Sequence, residues 1–473
     1  MELPPFQGGS VESKTKPRID HLDQMIPYLF ALGCARAWMS LTFVGIDGGI
    51  GFDPHAVFDY AYAAFGILAT VFARRIAPLA LQRWAFPSAA ATMLAASLLI
   101  IAARFFEGPA APFLALASVV GAFGFCSVLL MYNEAVVPLS LLRIALITAG
   151  SRFIAVPMTF VFQGLSGERL ALMLFVLPAV SVSCLAYAYR ALPERDRQRR
   201  PYVKFSFPWK PLAVLLIYAF AYGLRTHQLP AGAGVHSTLS TALVMGGFCL
   251  VVYFFADRFS VSALFRSPLL LMVCGLLLIP AEGFLGTEVE GYLIAMGVSL
   301  MSLLISLLFY DLSKRMGIAI IALTGVLHVN PLFTLWGGNC ADLLAATPLD
   351  AQAQNVVITV VVVMLVLVST LMLLSEKDLA SRWGIKLLET DNLEAESLRT
   401  EAIAERCDAV TAEYHLSPRE DEICRLIAQG RTNADIEREL FIAPGTLKAH
   451  IQHIYVKCDV HSRKDLVTLC GGE

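Results

Sequence analysis

The chain has 473 residues, 57 % of them hydrophobic and 16 % charged, with a formal net charge of −2 and a mean hydropathy of +0.66. Soluble domains carry roughly 25 % charged residues, so most of this length is short of charge for a protein in water, and the apolar content excludes intrinsic disorder. Ordinary usage of Gly (33) and Pro (23) excludes collagen-like and low-complexity chains.

Residues 1–24 are polar and read as an N-terminal tail. Apolar runs follow, each near the ~20 residues that cross a hydrocarbon core. Twelve stand at 25–45, 56–73, 85–105, 112–132, 141–162, 170–189, 211–229, 237–256, 268–285, 291–311, 317–337 and 355–375. They predict an all-α, polytopic bundle of twelve transmembrane helices over 25–375, with membrane lipid as its first partner. The opening run follows a polar lead and has no small-x-small cleavage site, so it reads as a span and not as a removable signal peptide.

Loop charge supplies an orientation. With an internal N-terminus, eighteen Lys and Arg fall in the inside segments, against three outside, Arg104, Arg169 and Arg225. That bias predicts a cytoplasmic basic side, with both termini in the cytoplasm. A weak internal repeat pairs Phe72-Ala73-Arg74-Arg75 with Phe255-Ala256-Asp257-Arg258 at an offset of 183 residues, and a long basic loop (Arg190–Lys210) separates the halves. Two six-helix halves in parallel repeat, joined in this way, resemble the major facilitator architecture. Of that family's Gly-x-x-x-Asp-Arg-x-Gly-Arg loop, only Asp257-Arg258 is present.

Arginine at mid-membrane costs about 2.5–3.5 kcal/mol even on lenient scales, so Arg36 and Arg152, each near the middle of a predicted helix, should face a cavity or a partner. Tyr132, Asn133, Glu134, Arg225, Tyr310, His328 and Asn330 are the polar residues available to them, with Asp59 and Asp311 as further carboxylates. The major facilitator resemblance implies a central cavity that gathers Arg36, Tyr132-Asn133-Glu134, Arg225 and Tyr310. Two readings stay open: a pocket for a small-molecule ligand, or internal arginine–carboxylate pairs that lock helices together.

The ten cysteines show no Cys-x-x-Cys and no metal-ligand spacing, which predicts neither a disulfide framework nor a metal site. There is no Walker A loop, Gly-x-Ser-x-Gly or His-Glu-x-x-His. Neither catalytic residues nor a cofactor are predicted.

After Ser375 the composition turns charged. Residues 376–412 read as a helical linker with an irregular apolar stripe that includes Leu379, Trp383, Leu387, Cys407 and Val410. Residues 413–473 predict four helices. Ser417 can cap the first, with Pro418 at its opening position and Glu420 closing a capping box, and Gly430 is placed to end it. A second short helix follows Thr432-Asn433-Ala434-Asp435, a turn is set at Phe441–Gly445, a third helix runs from Thr446 to Cys458, and Ser462 caps a fourth. A short helix, a tight turn and a longer helix make a helix-turn-helix.

Leu416-Ser417-Pro418-Arg419-Glu420, Leu426-Ile427-Ala428-Gln429-Gly430, Asn433, Ile436, Leu440, Pro444, Thr446, Lys448, His450, Ile454, Lys457 and Val460 are similar to the LuxR-type DNA-binding domain over about its whole length. The resemblance implies a bacterial transcription regulator in the cytoplasmic (inner) membrane. Its partner would be double-stranded DNA, contacted by Thr446, Leu447, Lys448, His450, His453 and Lys457 of the third helix, with Thr432 and Asn433. It also implies a homodimer on DNA, paired through Leu466, Val467 and Cys470 of the fourth helix. Charge agrees: no acid lies between Glu439 and Asp459, although residues 413–473 hold ten acids against eight Lys and Arg. Ala443 departs from the family's Ser before the third helix and forgoes a cap worth about 1 kcal/mol. Two functions follow as expectations: a membrane-embedded regulator that senses a small molecule through its bundle, or a major-facilitator-like transporter with a DNA-binding tail.

Overall fold

The computed structural model describes residues 22–43, 51–105, 110–165, 167–192, 207–226, 238–255, 261–278, 289–348, 350–373, 406–428, 431–440 and 442–470. These are helical and carry no strand. They fall into two compact units, one of apolar helices up to residue 373 and one of C-terminal residues from 406. The 1–24 tail up to residue 21, the loop at 256–260, most of the linker and Gly430 lie outside the described residues.

The first unit comprises α1 (Leu22–Thr42), α2 (Pro54–Val71), α3 (Ala73–Ile76), α4 (Ala85–Phe105), α5 (Ala110–Val136), α6 (Leu141–Gln163), α7 (Gly167–Ala191), α8 (Trp209–Thr226), α9 (Thr238–Phe255), α10 (Val261–Leu278), α11 (Val289–Met316), α12 (Ile320–Thr324), α13 (Asn330–Ala345) and α14 (Ala351–Leu373). A helix stands at each of the twelve predicted runs. Seven spans are long and apolar enough to cross a membrane by themselves, and eight if the bent pair α2–α3 is one span. The helices at 239–254 and 266–278 are apolar but shorter, so length and composition support seven or eight crossings and do not confirm twelve.

Local chemistry explains the breaks. Asp53 caps α2, its carboxylate accepting the His55 N–H at 2.9 Å, and Pro54 occupies the first turn. The chain then bends by 72° after Val71. The buried Glu134 of α5 secures this bend: its two carboxylate oxygens accept the N–H groups of Leu79 and Ala80, each at 2.8 Å. Gly317, in the left-handed region (φ 63°), ends α11, and the Ile318 N–H reaches back to the Ser313 carbonyl at 3.1 Å.

Apolar tails give helices no hydrophobic reason to associate, so close backbone packing must hold the bundle. Glycines provide it. A methyl group on Gly66 would meet the Gly325 carbonyl oxygen at 2.4 Å, one on Gly223 the Thr334 oxygen at 2.0 Å, and one on Gly337 the Phe220 oxygen at 2.2 Å. The outward surface carries Phe160, Tyr187, Leu270, Leu277 and Leu343, as a lipid-facing surface would.

The second unit comprises α15 (Pro418–Ala428), α16 (Asn433–Leu440), α17 (Pro444–Lys457) and α18 (Arg463–Leu469). They enclose a core of Leu416, Ile423, Ile427, Ile436, Leu447, Ile454 and Leu466. The helical segment over 406–413, read from sequence as the end of the linker, packs Cys407 and Val410 into this same core.

Candidate nucleic-acid interface and buried polar cluster

The helix-turn-helix is built on caps. At α15 the Ser417 N–H donates to Glu420 Oε2 at 2.7 Å and the Glu420 N–H to Ser417 Oγ at 3.4 Å, the reciprocal pair the sequence predicts. At α16, Thr432 and Asp435 do the same, with the Thr432 hydroxyl 2.6 Å from Asp435 Oδ2. α17 starts at Ala443 with no side-chain cap, and α18 at Ser462, whose Oγ accepts the Asp465 N–H at 3.1 Å.

The orientation of α17 decides what it can read. Leu447 and Ile454, seven residues apart, are buried and fix the inner face. Helical geometry then sends Gly445, Lys448, Ala449, Gln452, His453 and Val456 outward as one stripe, and all six are exposed, Val456 by 78 %. Thr446 is exposed beside it, and His450 sits half-buried at its edge. Among the described residues Lys448 and His453 have no side-chain partner and are free to meet a ligand.

The structure places several of the expected contact residues away from this stripe. Leu447 is 1 % exposed and belongs to the core, so it cannot touch a base. Lys457 is exposed but engaged: its ammonium donates to Glu420 Oε2 at 2.7 Å and to the His415 carbonyl at 3.2 Å. Burial opposes the Glu420 carboxylate, yet Lys457 and the Ser417 groups hold it down to about 2. Leu466 and Cys470 are fully buried in their own domain and cannot also cover a partner; only Val467 is partly accessible. Thr432 and Asn433 are exposed but engaged, Thr432 in its cap and Asn433 as acceptor for Arg463 at 2.8 Å. Gln452 and Val456 are not among the residues expected from sequence, though the seven-residue spacing of Leu447 and Ile454 identifies the stripe.

In the apolar unit, the structure separates the candidate polar residues into two groups. Glu134 holds the loop at Leu79–Ala80 and is not a counter-ion for Arg36, because its oxygens are occupied by backbone N–H groups. Arg225 is not in an outside loop; it lies buried in the last turn of α8, pairs with the buried Glu290 at 3.1 Å and donates to Asn355 Oδ1 at 3.3 Å. That contact locks α8, α11 and α14. Asp311 pairs with Arg315 at 2.8 Å.

The second group converges. Arg36 (α1) and Arg152 (α6) lie near each other and near Tyr62, Tyr132 and Tyr310. Arg152 donates to the Ser299 carbonyl at 3.3 Å and to Ser302 Oγ at 3.5 Å. Neither arginine has a carboxylate partner among the described residues, and Nε of each is buried without a hydrogen bond. The Tyr310 hydroxyl donates to Asn133 Oδ1 at 2.6 Å, and Asn133 Nδ2 donates to Thr324 Oγ1 at 3.0 Å. Tyr132 and Ser151 hydroxyls stand 3.4 Å apart. His328, ring to ring with Tyr62 at 4.5 Å, leaves Nε2 unpartnered, as Asn330 leaves Oδ1. A groove of about 510 Å³ lies elsewhere, between α8 and α14, lined by Ile217, Val360, Val361 and Met364. Its walls are almost wholly apolar and suit acyl chains; the lining Ser369 hydroxyl donates to the Val366 carbonyl at 3.0 Å.

Comparison with known proteins bears on the C-terminal unit. Residues 414–470 match the GerE family of bacterial regulatory proteins, the luxR family. The oxygen regulatory protein NreC of Staphylococcus haemolyticus is 48 % identical over 52 residues, 11 % of this chain and 24 % of that one. The transcriptional regulatory protein LiaR of Bacillus subtilis is 52 % identical over 48 residues, 10 % and 23 % of the two chains. A Mycobacterium tuberculosis protein whose name describes an HTH-type transcriptional regulator is 40 % identical over 52 residues, 11 % of this chain and 6 % of its own length. The chain thus spans between 6 % and 24 % of these relatives. A crystal structure of a bacterial homologue of the iron transporter ferroportin, in an outward-facing state, aligns over 74 % of this chain and 98 % of that one, at 13 % identity and a TM-score of 0.48. The chain joins a LuxR-type helix-turn-helix domain to a bundle of apolar, membrane-type helices.

Proposed function

We propose that this chain is a one-component transcription regulator of the bacterial inner membrane, in which the apolar bundle binds a small molecule and the C-terminal domain binds operator DNA. Both termini lie in the cytoplasm in this reading, as the basic loops suggest. The exposed stripe of α17 carries the proposal: it presents Lys448, Gln452 and His453 on a helix whose opposite face is fixed in a core, the arrangement in which a recognition helix enters the major groove. Lys448 supplies phosphate or guanine contact, and Gln452 matches the donor–acceptor edge of adenine. Two domains pair on a two-fold operator, through the accessible side of α18.

Arg36 and Arg152 form the sensing site. Two neighbouring guanidiniums that have no carboxylate partner among the described residues and sit near tyrosines favour an anionic, partly aromatic molecule. Such a ligand moves the regulator only through unequal affinity for two states of the bundle, and a hundredfold shift requires about 2.7 kcal/mol. The test is transcription from a target promoter in cells carrying the native protein or the Arg36→Ala/Arg152→Ala variant, with insertion checked by membrane fractionation. The reading expects the variant to insert and to lose its response to inducer; an unchanged response would remove the arginines from the sensing site. Substrate flux by the reconstituted bundle, without any effect of that substrate on operator binding, would favour a transporter instead.

A further inference from the structure

Three cysteines that stand far apart in sequence meet inside the C-terminal domain. Cys407 comes from the helical segment over 406–413, Cys424 from α15 and Cys470 from the end of α18. Their sulfurs all lie within 4.8 Å of one another, and Cys424 and Cys470 Sγ are 3.5 Å apart. All three side chains are fully buried. Sulfurs bound at about 2.3 Å to a common ion lie roughly 4.0 Å apart in a trigonal plane and roughly 3.8 Å apart on a tetrahedron. The observed spacing matches one shared ion. A cubane iron–sulfur cluster places each cysteine on a separate iron and needs wider spacing, and a two-iron cluster needs four ligands.

We propose that Cys407, Cys424 and Cys470 form a three-coordinate thiolate site for a soft metal ion, of which Cu(I) is the biological representative. Three features favour a soft, low-coordinate ion. Thiolates select Cu(I), Zn(II) and iron–sulfur centres over harder ions. Among the described residues no histidine or carboxylate joins the trio as a fourth ligand, whereas zinc sites are four-coordinate. Ile423, Ile427 and Leu466 lie in the same buried core, so the trio's described surroundings are apolar. Binding replaces three S–H protons with one ion, so three protons leave the core for each Cu(I) held.

The site ties the segment that enters from the linker to the first and last helices of the DNA-binding domain. Its occupancy therefore sets how firmly that segment is held to the domain, a second input besides the membrane pocket.

The test uses the full chain, purified in detergent under reducing, oxygen-free conditions and titrated with Cu(I) against bicinchoninate. One copper per chain should be retained. Cys407→Ser, Cys424→Ser and Cys470→Ser should each lose it, while Cys458→Ser, in the same core but outside the trio, should keep it. X-ray absorption at the copper edge of the unaltered protein should show three sulfur neighbours at about 2.3 Å, and this result does not depend on the variants folding. Failure to retain copper, retention by all three variants, or two or fewer sulfur neighbours would overturn the site. So would Zn(II) displacing Cu(I) in competition, because the assignment requires a three-coordinate soft ion. None of these outcomes bears on operator binding by α17, which is measured separately.

Discussion

Lys448 and Leu447 adjoin in the chain yet face opposite environments, and their substitutions should fail in opposite ways. Lys448→Ala should leave unfolding unchanged, weaken operator binding across sequences and lower the salt dependence by roughly one counterion, as fluorescence anisotropy at several salt concentrations would read. Leu447→Ala should cost about 2–5 kcal/mol of domain stability and impair binding only by unfolding the domain. Ala443, at an uncapped helix start, is the complementary case: Ala443→Ser should stabilise the domain by about 1 kcal/mol, visible as a rise in melting temperature of roughly 4–8 °C. Glu420 makes stability depend on acid. Its carboxyl is held down to about 2 from the ordinary 4.5, so its contribution is complete above pH 4.5 and fades as pH falls toward 2. Circular dichroism of residues 406–473 should show this loss, and Glu420→Gln should flatten that acid limb.

At the scale of elements, the glycine contacts decide whether the bundle assembles. Gly223→Leu or Gly337→Leu would drive a side chain into a backbone carbonyl, since even a methyl would come within 2.0 or 2.2 Å. Size-exclusion profiles of the detergent-solubilised protein should show loss of the monodisperse species. Gly247→Ala, where a methyl meets nothing within 4 Å, should be tolerated. The sequence displayed some of these relations and hid others. Caps are local, so Ser417, Glu420, Thr432 and Ser462 were legible from spacing alone. Apolar runs located the long helices of the bundle among the described residues, because lipid leaves only one way to satisfy a backbone. What a side chain meets across 50 or 150 residues was not legible. Glu134 was read as a counter-ion because a buried carboxylate in sequence looks the same whether it faces arginine or two backbone N–H groups. Arg225 was read as a loop charge because its partner, Glu290, lies 65 residues away. The three cysteines gave no spacing signal because three separate helices bring them together.

For the whole molecule, the two units divide the work. In the bundle Arg225 sits in an ion pair that locks helices, whereas Arg36 and Arg152 have no carboxylate partner among the described residues. A purely mechanical anchor would have no use for the latter pair, given what an arginine costs at mid-membrane. The C-terminal unit presents a helix face whose shape and charge suit the major groove. The account depends on the two acting in one chain while the bundle stays in the membrane. Chromosomal sites crosslinked to the full-length protein, recovered from washed membranes and sequenced, test this most directly. Discrete sites should appear in the native protein and vanish in a Lys448→Ala/Gln452→Ala double variant that still inserts. Recovery of DNA without preferred sites, or sites that appear only once the C-terminal domain has been cleaved from the membrane, would contradict it.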